Sequence, residues 1–122
     1  MASNISFAEA YKNRTKKFAV DVVKFCRGLP KTREADIFNH QLIRSSSSVA
    51  SNYRAACRAR SAKEFYAKLC IVVEEADECI FWLEMLEATN AGSTGIEVLI
   101  NEGTEILAIA ATSRKTTGKR LE

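Results

Sequence analysis

Apolar residues along this chain recur at spacings of three and four, and no stretch sustains a two-residue alternation. The pattern predicts four helices and no strand. The first is expected from about Asn13 to Arg27, with Phe18, Val22, Phe25, Cys26 and Leu29 along one face. Gly28 and Pro30 end it, because glycine suits a C-terminal cap and proline cannot continue a helix. The second is expected over about 33–59, with Phe38, Leu42, Ser45, Val49, Asn52 and Ala56 on one side. Ser61-Ala-Lys-Glu64 reads as a capping box opening a third helix over about 62–88. Its stripe is Leu69, Val72, Val73, Ala76, Ile80, Leu83 and Leu86. Asn90-Ala-Gly92 is the next turn, and Thr94-Gly-Ile-Glu97 a second capping box before a helix over about 95–112. That helix carries Ile96, Leu99, Ile100, Gly103, Ile106, Leu107 and Ala110. The tail, 113–122, loses periodicity and is expected to fray. Four helices joined by short turns imply an all-α, antiparallel up-and-down four-helix bundle, a single domain over 1–122.

Two departures from a plain bundle stand out. Ser45–Ser48 places four poor helix formers inside the second helix. Serines here either let a neighbouring helix approach closely or offer hydroxyls to a ligand, and the long amphipathic context favours packing. Around Cys79–Leu86 only Glu84 is polar, so Phe81, Trp82 and Met85 fall off the main stripe. A helix apolar on more than one face has a second surface to bury, deep in the bundle or against another subunit.

The 122 residues suffice for one core, and a hydrophobic fraction of 47% excludes global disorder. Charges interrupt every apolar run, so no transmembrane span is expected. The N-terminal MASNISFAEAYKNR shows no signal-peptide pattern, and the expected location is the cytoplasm. Cys26, Cys57, Cys70 and Cys79 form no C-x-x-C pair and are expected to be reduced thiols. Charge is segregated within a net +3. Residues 1–60 hold twelve Lys and Arg against four Asp and Glu, whereas 61–122 hold six against eleven. Leu69 to Ser113 contains no Lys or Arg. Such halves can hold each other within a fold or between subunits, and the basic half can meet a polyanion.

The stretch from Phe18 to Leu86 resembles the bacterial four helix bundle protein family, also called 23S rRNA intervening-sequence proteins. The residues carrying the resemblance are Gln41-Leu-Ile-Arg44-Ser45, Ser48-Val49, Asn52-Tyr53-Arg54, Cys57-Arg58-Ala59-Arg60-Ser61, Phe65, Lys68-Leu69, Glu74-Glu75-Ala76-Asp77-Glu78 and Trp82-Leu83. Ala55 stands where the family pattern usually has a glutamate, so no role of that glutamate is carried over. The resemblance implies a helical bundle assembling into a ring-like homopentamer. It extends to the accessory proteins of diversity-generating retroelements, basic pentameric barrels that bind nucleic acid and a reverse transcriptase. The partners it implies are other copies of the chain, RNA or DNA, and a protein partner of unknown identity, with no membrane.

Arg54 and Arg58 stand four apart and share an outward face, with Arg60, Lys63 and Lys68 just beyond. This cluster suits phosphate neutralisation without base reading, with Tyr53, Phe65 and Tyr66 near enough in sequence to stack on bases. The plainer reading is a solvated face or ion pairs with a neighbouring helix. Glu74, Glu75, Asp77 and Glu78 lack the Glu-x-x-His pairs of di-metal bundles, so neither metal nor cofactor is expected. Glu74, Glu75 and Glu78 suit ion pairs with Arg44 instead. Arg33 and His40 share one face of the second helix, a spacing similar to that of the HEPN helical-bundle ribonucleases. An ordinary polar or half-buried histidine is the better reading of His40, and no catalytic residue is assigned. The expectation is a non-enzymatic, oligomeric binding protein for RNA or DNA. The alternative is a purely structural module forming a ring by self-association, and a ribonuclease using Arg33 and His40 stands behind both.

Overall fold

The computed structural model describes residues 5–89 and 94–122, which form four helices: α1, Phe7–Arg27; α2, Arg33–Cys57; α3, Ala62–Thr89; and α4, Ile96–Arg120. No strand occurs among the described residues. Each helix packs antiparallel on its sequence neighbour. Ser45 meets Cys79 and Phe38 meets Trp82 between α2 and α3. Gly103 approaches Ile80, and Gly118 approaches Tyr66, between α3 and α4. Tyr11 and Arg14 reach Ile106 and Glu102 to close α1 onto α4. The fold is an all-α four-helix bundle.

The core consists largely of the residues that repeat at helical spacing. Val22, Leu42, Val49, Leu69, Val72, Leu83, Leu86 and Ile106 are fully buried. Burying each such side chain contributes about 1.5–3 kcal/mol before the entropy of ordering is subtracted. Ser45 and Ser46 are also fully buried, and each hydroxyl donates back to a carbonyl of its own helix, Leu42 and Ile43 respectively. That satisfies the hydroxyls locally, and α3 packs on α2 at Ser45, where Cys79 meets it. Ser47 lies on the exposed side.

Three boundaries differ from the expectation. α1 begins at Phe7, six residues early, because the Ser6 hydroxyl accepts from the Glu9 amide at 3.1 Å. Ser6-x-x-Glu9 is itself a capping pattern. The extra turn buries Tyr11, and α2 buries Tyr53 beside it. α4 runs through Arg120 instead of fraying after 112. Thr117 is buried there, and a Cβ at Gly118 would lie 3.1 Å from the Tyr66 ring, so the tail is docked on α3. The Thr94 capping box does not form. The cap is Gly95, whose φ of 89° lies in the left-handed region that glycine tolerates, and it caps without a side chain. α2 ends at Cys57, where the Arg58 amide caps it by donating to the Ala55 carbonyl. At α3, Ser61 does cap, accepting from the Glu64 amide at 3.1 Å. The turn at Asn90-Ala-Gly92 lies outside the described residues.

Candidate functional site

The antiparallel crossing of α1 and α2 leaves an open groove of about 530 Å³ on the outer side of the bundle. Lys12 and Lys16 line it from α1, Arg54 from α2, and Arg58 from the residue that caps the C-terminal end of α2. Lys12 and Lys16 are four residues apart on α1, so both point the same way from successive turns. Opposite faces of the same helices anchor them: Thr15, Phe18 and Val22 on α1 and Val49, Tyr53 and Ala56 on α2 are buried. Ala19, Val20, Val23 and Ala50 supply an apolar floor, with Asn13, Ser47 and Ser51 beside it. No Asp, Glu, His or Cys lines the groove. Lys12 pairs with Glu9 at 2.9 Å. Among the described residues, Lys16, Arg54 and Arg58 have no carboxylate within ion-pair distance. The groove can therefore attract and neutralise an anion, and it holds neither a nucleophile–base pair nor metal ligands.

The five cations singled out in the sequence divide between two places. Arg54 and Arg58 are in the groove. Arg60 lies at the α2–α3 turn, 3.7 Å from Glu64 and almost fully exposed, so that pair contributes little. Lys63 and Lys68 follow on α3, exposed and half-buried respectively, and neither lines the groove. The expected base-stacking aromatics do not line this groove; Tyr53 and Phe65 line a separate one together with Phe7. Tyr53 is only 2% exposed, edge-on to Tyr11 at a centroid distance of 4.5 Å. Burial pushes its phenol up to about 12. Phe65 packs against the core, and Tyr66 lies against Gly118. Lys12 and Lys16 were missed because the expected helix start at Asn13 left Lys12 outside it. Their i,i+4 spacing is the signal that would have found them.

Two acidic residues of α3, Glu75 and Glu78, fall on its seam with α2. Arg44 donates to Glu75 at 3.0 Å and to Glu78, and also to Gln41 at 3.2 Å. Glu74 is exposed and outside this network. Burial opposes ionisation of Glu78, yet hydrogen bonds from the Trp82 indole and from Arg44 outweigh it and hold its carboxyl below the usual range. The Trp82 N–H donates to Glu78 at 3.0 Å, and its ring stacks on Phe38 at 5.7 Å. The Cys79 thiol donates to Ser45 Oγ at 3.3 Å, and burial pushes it up to about 12. Of the three residues proposed for a second surface, Phe81 is 50% exposed. Met85 is half-buried, while Trp82 is engaged within its own chain. Arg33 and His40 are both exposed on α2.

All four cysteines are free, and no group of three or more potential ligands that could hold a metal occurs among the described residues. No described helix is long and apolar enough to cross a membrane.

Residues 9–111 match the sequence profile of the 23S rRNA-intervening sequence proteins. Among solved structures, a crystal structure of a protein of unknown function from the S23 ribosomal protein family of Bacteroides thetaiotaomicron is similar. It is 31% identical, superposes with a TM-score of 0.78, and the match covers 86% of this chain and 98% of that one. No functionally curated protein matches the sequence.

Proposed function

The chain belongs to the 23S rRNA-intervening sequence protein family, and from that premise we propose that it is a non-enzymatic protein that binds nucleic acid through the α1–α2 groove. The observation that carries this reading is the set of cations lining one concave surface, three of them without a carboxylate partner among the described residues. Unpaired cations on a recessed face are costly to group together, and a polyanion relieves their mutual repulsion. Phosphate neutralisation by such a set gives sequence-independent, salt-sensitive affinity. Filter retention of structured rRNA fragments at low salt tests it. Retention that falls steeply as salt rises is expected, and no retention at low salt overturns the proposal.

A second reading rests on a different observation. Phe81, half exposed on α3 beside the half-buried Trp82 and Met85, offers apolar surface that one bundle does not use. We propose that this surface supports self-association, with the pentameric ring implied by the family resemblance as the expected state. Mass in solution by light scattering tests it, and a monomer at all concentrations contradicts it.

A further inference from the structure

Resting on the reading that the α1–α2 groove binds nucleic acid, we infer that its ligand is base-paired and is gripped through its sugar–phosphate backbone alone. The first argument is shape. The site is a recess between two helices, so no element protrudes that could enter a duplex groove and read base edges, as a recognition helix does. A recess receives a convex ridge instead, and the ridge a duplex presents is its phosphate strand.

The second argument is the lining. Proteins that hold single strands combine cations with aromatic side chains on which successive bases stack. No aromatic residue lines this groove. The nearby candidate Tyr53 is committed to Tyr11, and Tyr66 to the docked end of α4. A single strand would lay its bases on the methyl groups of Val20 and Ala50 and gain little from them. Those same methyls suit the apolar faces of sugars whose bases are already paired.

The third argument is the arrangement of charge. Lys12 and Lys16 form one row and Arg54 and Arg58 another, on antiparallel helices. Lys12 and Lys16 are separated by about one helical turn, roughly 5.4 Å, and Arg58 caps the helix that carries Arg54. Rows of cations anchored on packed helices match phosphates that are themselves held at fixed spacing. A flexible strand must be ordered to meet them and loses affinity in proportion.

Fluorescence anisotropy on the full chain tests this, using a labelled RNA duplex and an unstructured uridine-rich single strand of equal length. The duplex is expected to bind about ten-fold tighter or more, and scrambling its sequence is expected to leave the affinity unchanged. Arg54→Ala/Arg58→Ala is expected to flatten the slope of log affinity against log salt by about two, close to one per lost phosphate contact. Lys16→Ala on the other helix is expected to flatten it by about one, and serves if the α2 variant does not fold. Equal or tighter binding of the single strand overturns the inference while leaving the groove a nucleic-acid site, provided the variants still weaken binding. A ten-fold loss on scrambling also overturns it. Slopes unchanged in both variants place the ligand elsewhere and overturn it, and failure of either nucleic acid to bind overturns the proposed function as well.

Discussion

The Tyr11 hydroxyl donates to the Ile106 carbonyl oxygen at 2.6 Å, tying the first helix to the last through a buried contact. Its ring also stands edge-on to Tyr53, so one side chain joins three helices. Burial and the neighbouring Tyr53 raise the Tyr11 pKa, which keeps the phenol a neutral donor. One turn further along, Arg14 donates to Glu102 through two nitrogens at 2.8 Å and to Glu105 at 2.7 Å. These contacts fix the rotation of α1, and with it the outward direction of Lys12 and Lys16.

Tyr11→Phe removes this donor and leaves the ring in place. The Ile106 carbonyl keeps its place in the α4 helical ladder, so the loss is expected to be modest, about 1 kcal/mol. Tyr11→Ala adds a cavity between α1, α2 and α4, and about 3–5 kcal/mol is expected. Urea unfolding followed by circular dichroism measures both. Equal stability of all three proteins would show that the seam is not closed by this residue.

The Arg14–Glu102 pair makes a prediction about acid. The hydrogen bond from Arg14 holds the Glu102 carboxyl below its ordinary value, although burial opposes the shift. A folded pKa below the unfolded one gives stability that is fully present above the unfolded value of about 4.3. It is lost as pH falls through the folded value. Arg14→Gln is therefore expected to lower the melting temperature at neutral pH, with the difference from the parent narrowing as pH drops below about 4. Both side chains are about one-third exposed, so the effect is smaller than for a buried pair. A difference that stays constant down to acid pH would contradict this account.

The docked end of α4 predicts that the last turns matter to stability. Gly118→Val places a branched side chain where even a Cβ lies 3.1 Å from the Tyr66 ring. Displacing that ring is expected to cost about 1–3 kcal/mol, on the scale of overpacked cores. Deleting 113–122 is expected to destabilise the protein as well, because it removes the buried Thr117 and uncovers the Tyr66 ring that Gly118 packs against. A truncated chain as stable as the full one would mean that the tail is dispensable.

Much of the bundle was legible because burial repeats at helical spacing. Leu42–Val49–Ala56 and Leu69–Val72–Ala76–Leu83 announce buried faces on their own. Ends were harder to read. Ser6 caps α1 next to Phe7 and Tyr11, but the polar run from Lys12 to Lys17 separates that turn from the apolar stripe that begins at Phe18. Thr117 and Gly118 continue the α4 face with residues that hydropathy does not mark as core. The candidate groove was only half legible. Arg54 and Arg58 announce a basic face, but Lys12 and Lys16 lie far away along the chain, and only the antiparallel crossing brings the pairs together. Tyr53 illustrates the converse: an aromatic among arginines reads as a stacking residue, yet its position on the Val49–Ala56 face buries it.

Phe81 and Trp82 are adjacent but predict opposite behaviour. Phe81→Ser removes a half-exposed ring and is expected to leave folding within about 1 kcal/mol while lowering the associated mass. Trp82→Ala breaks the stack on Phe38 and the bond to Glu78, and is expected to cost about 3 kcal/mol. Light scattering beside thermal unfolding separates the two. Unchanged mass for Phe81→Ser would remove this surface from the account of assembly.

The central claim is that the groove's cations act through their position and not through bulk charge. The most direct measurement compares RNA affinity of Arg54→Glu/Arg58→Glu with that of Lys24→Glu/Arg27→Glu, by anisotropy at one low salt concentration. Both variants change the net charge equally, and Lys24 and Arg27 are exposed on α1 outside the groove. The account predicts a loss of about a hundred-fold or more for the groove variant, with the control within a few-fold of the parent. Equal losses in the two variants, or none in the groove variant, would contradict it.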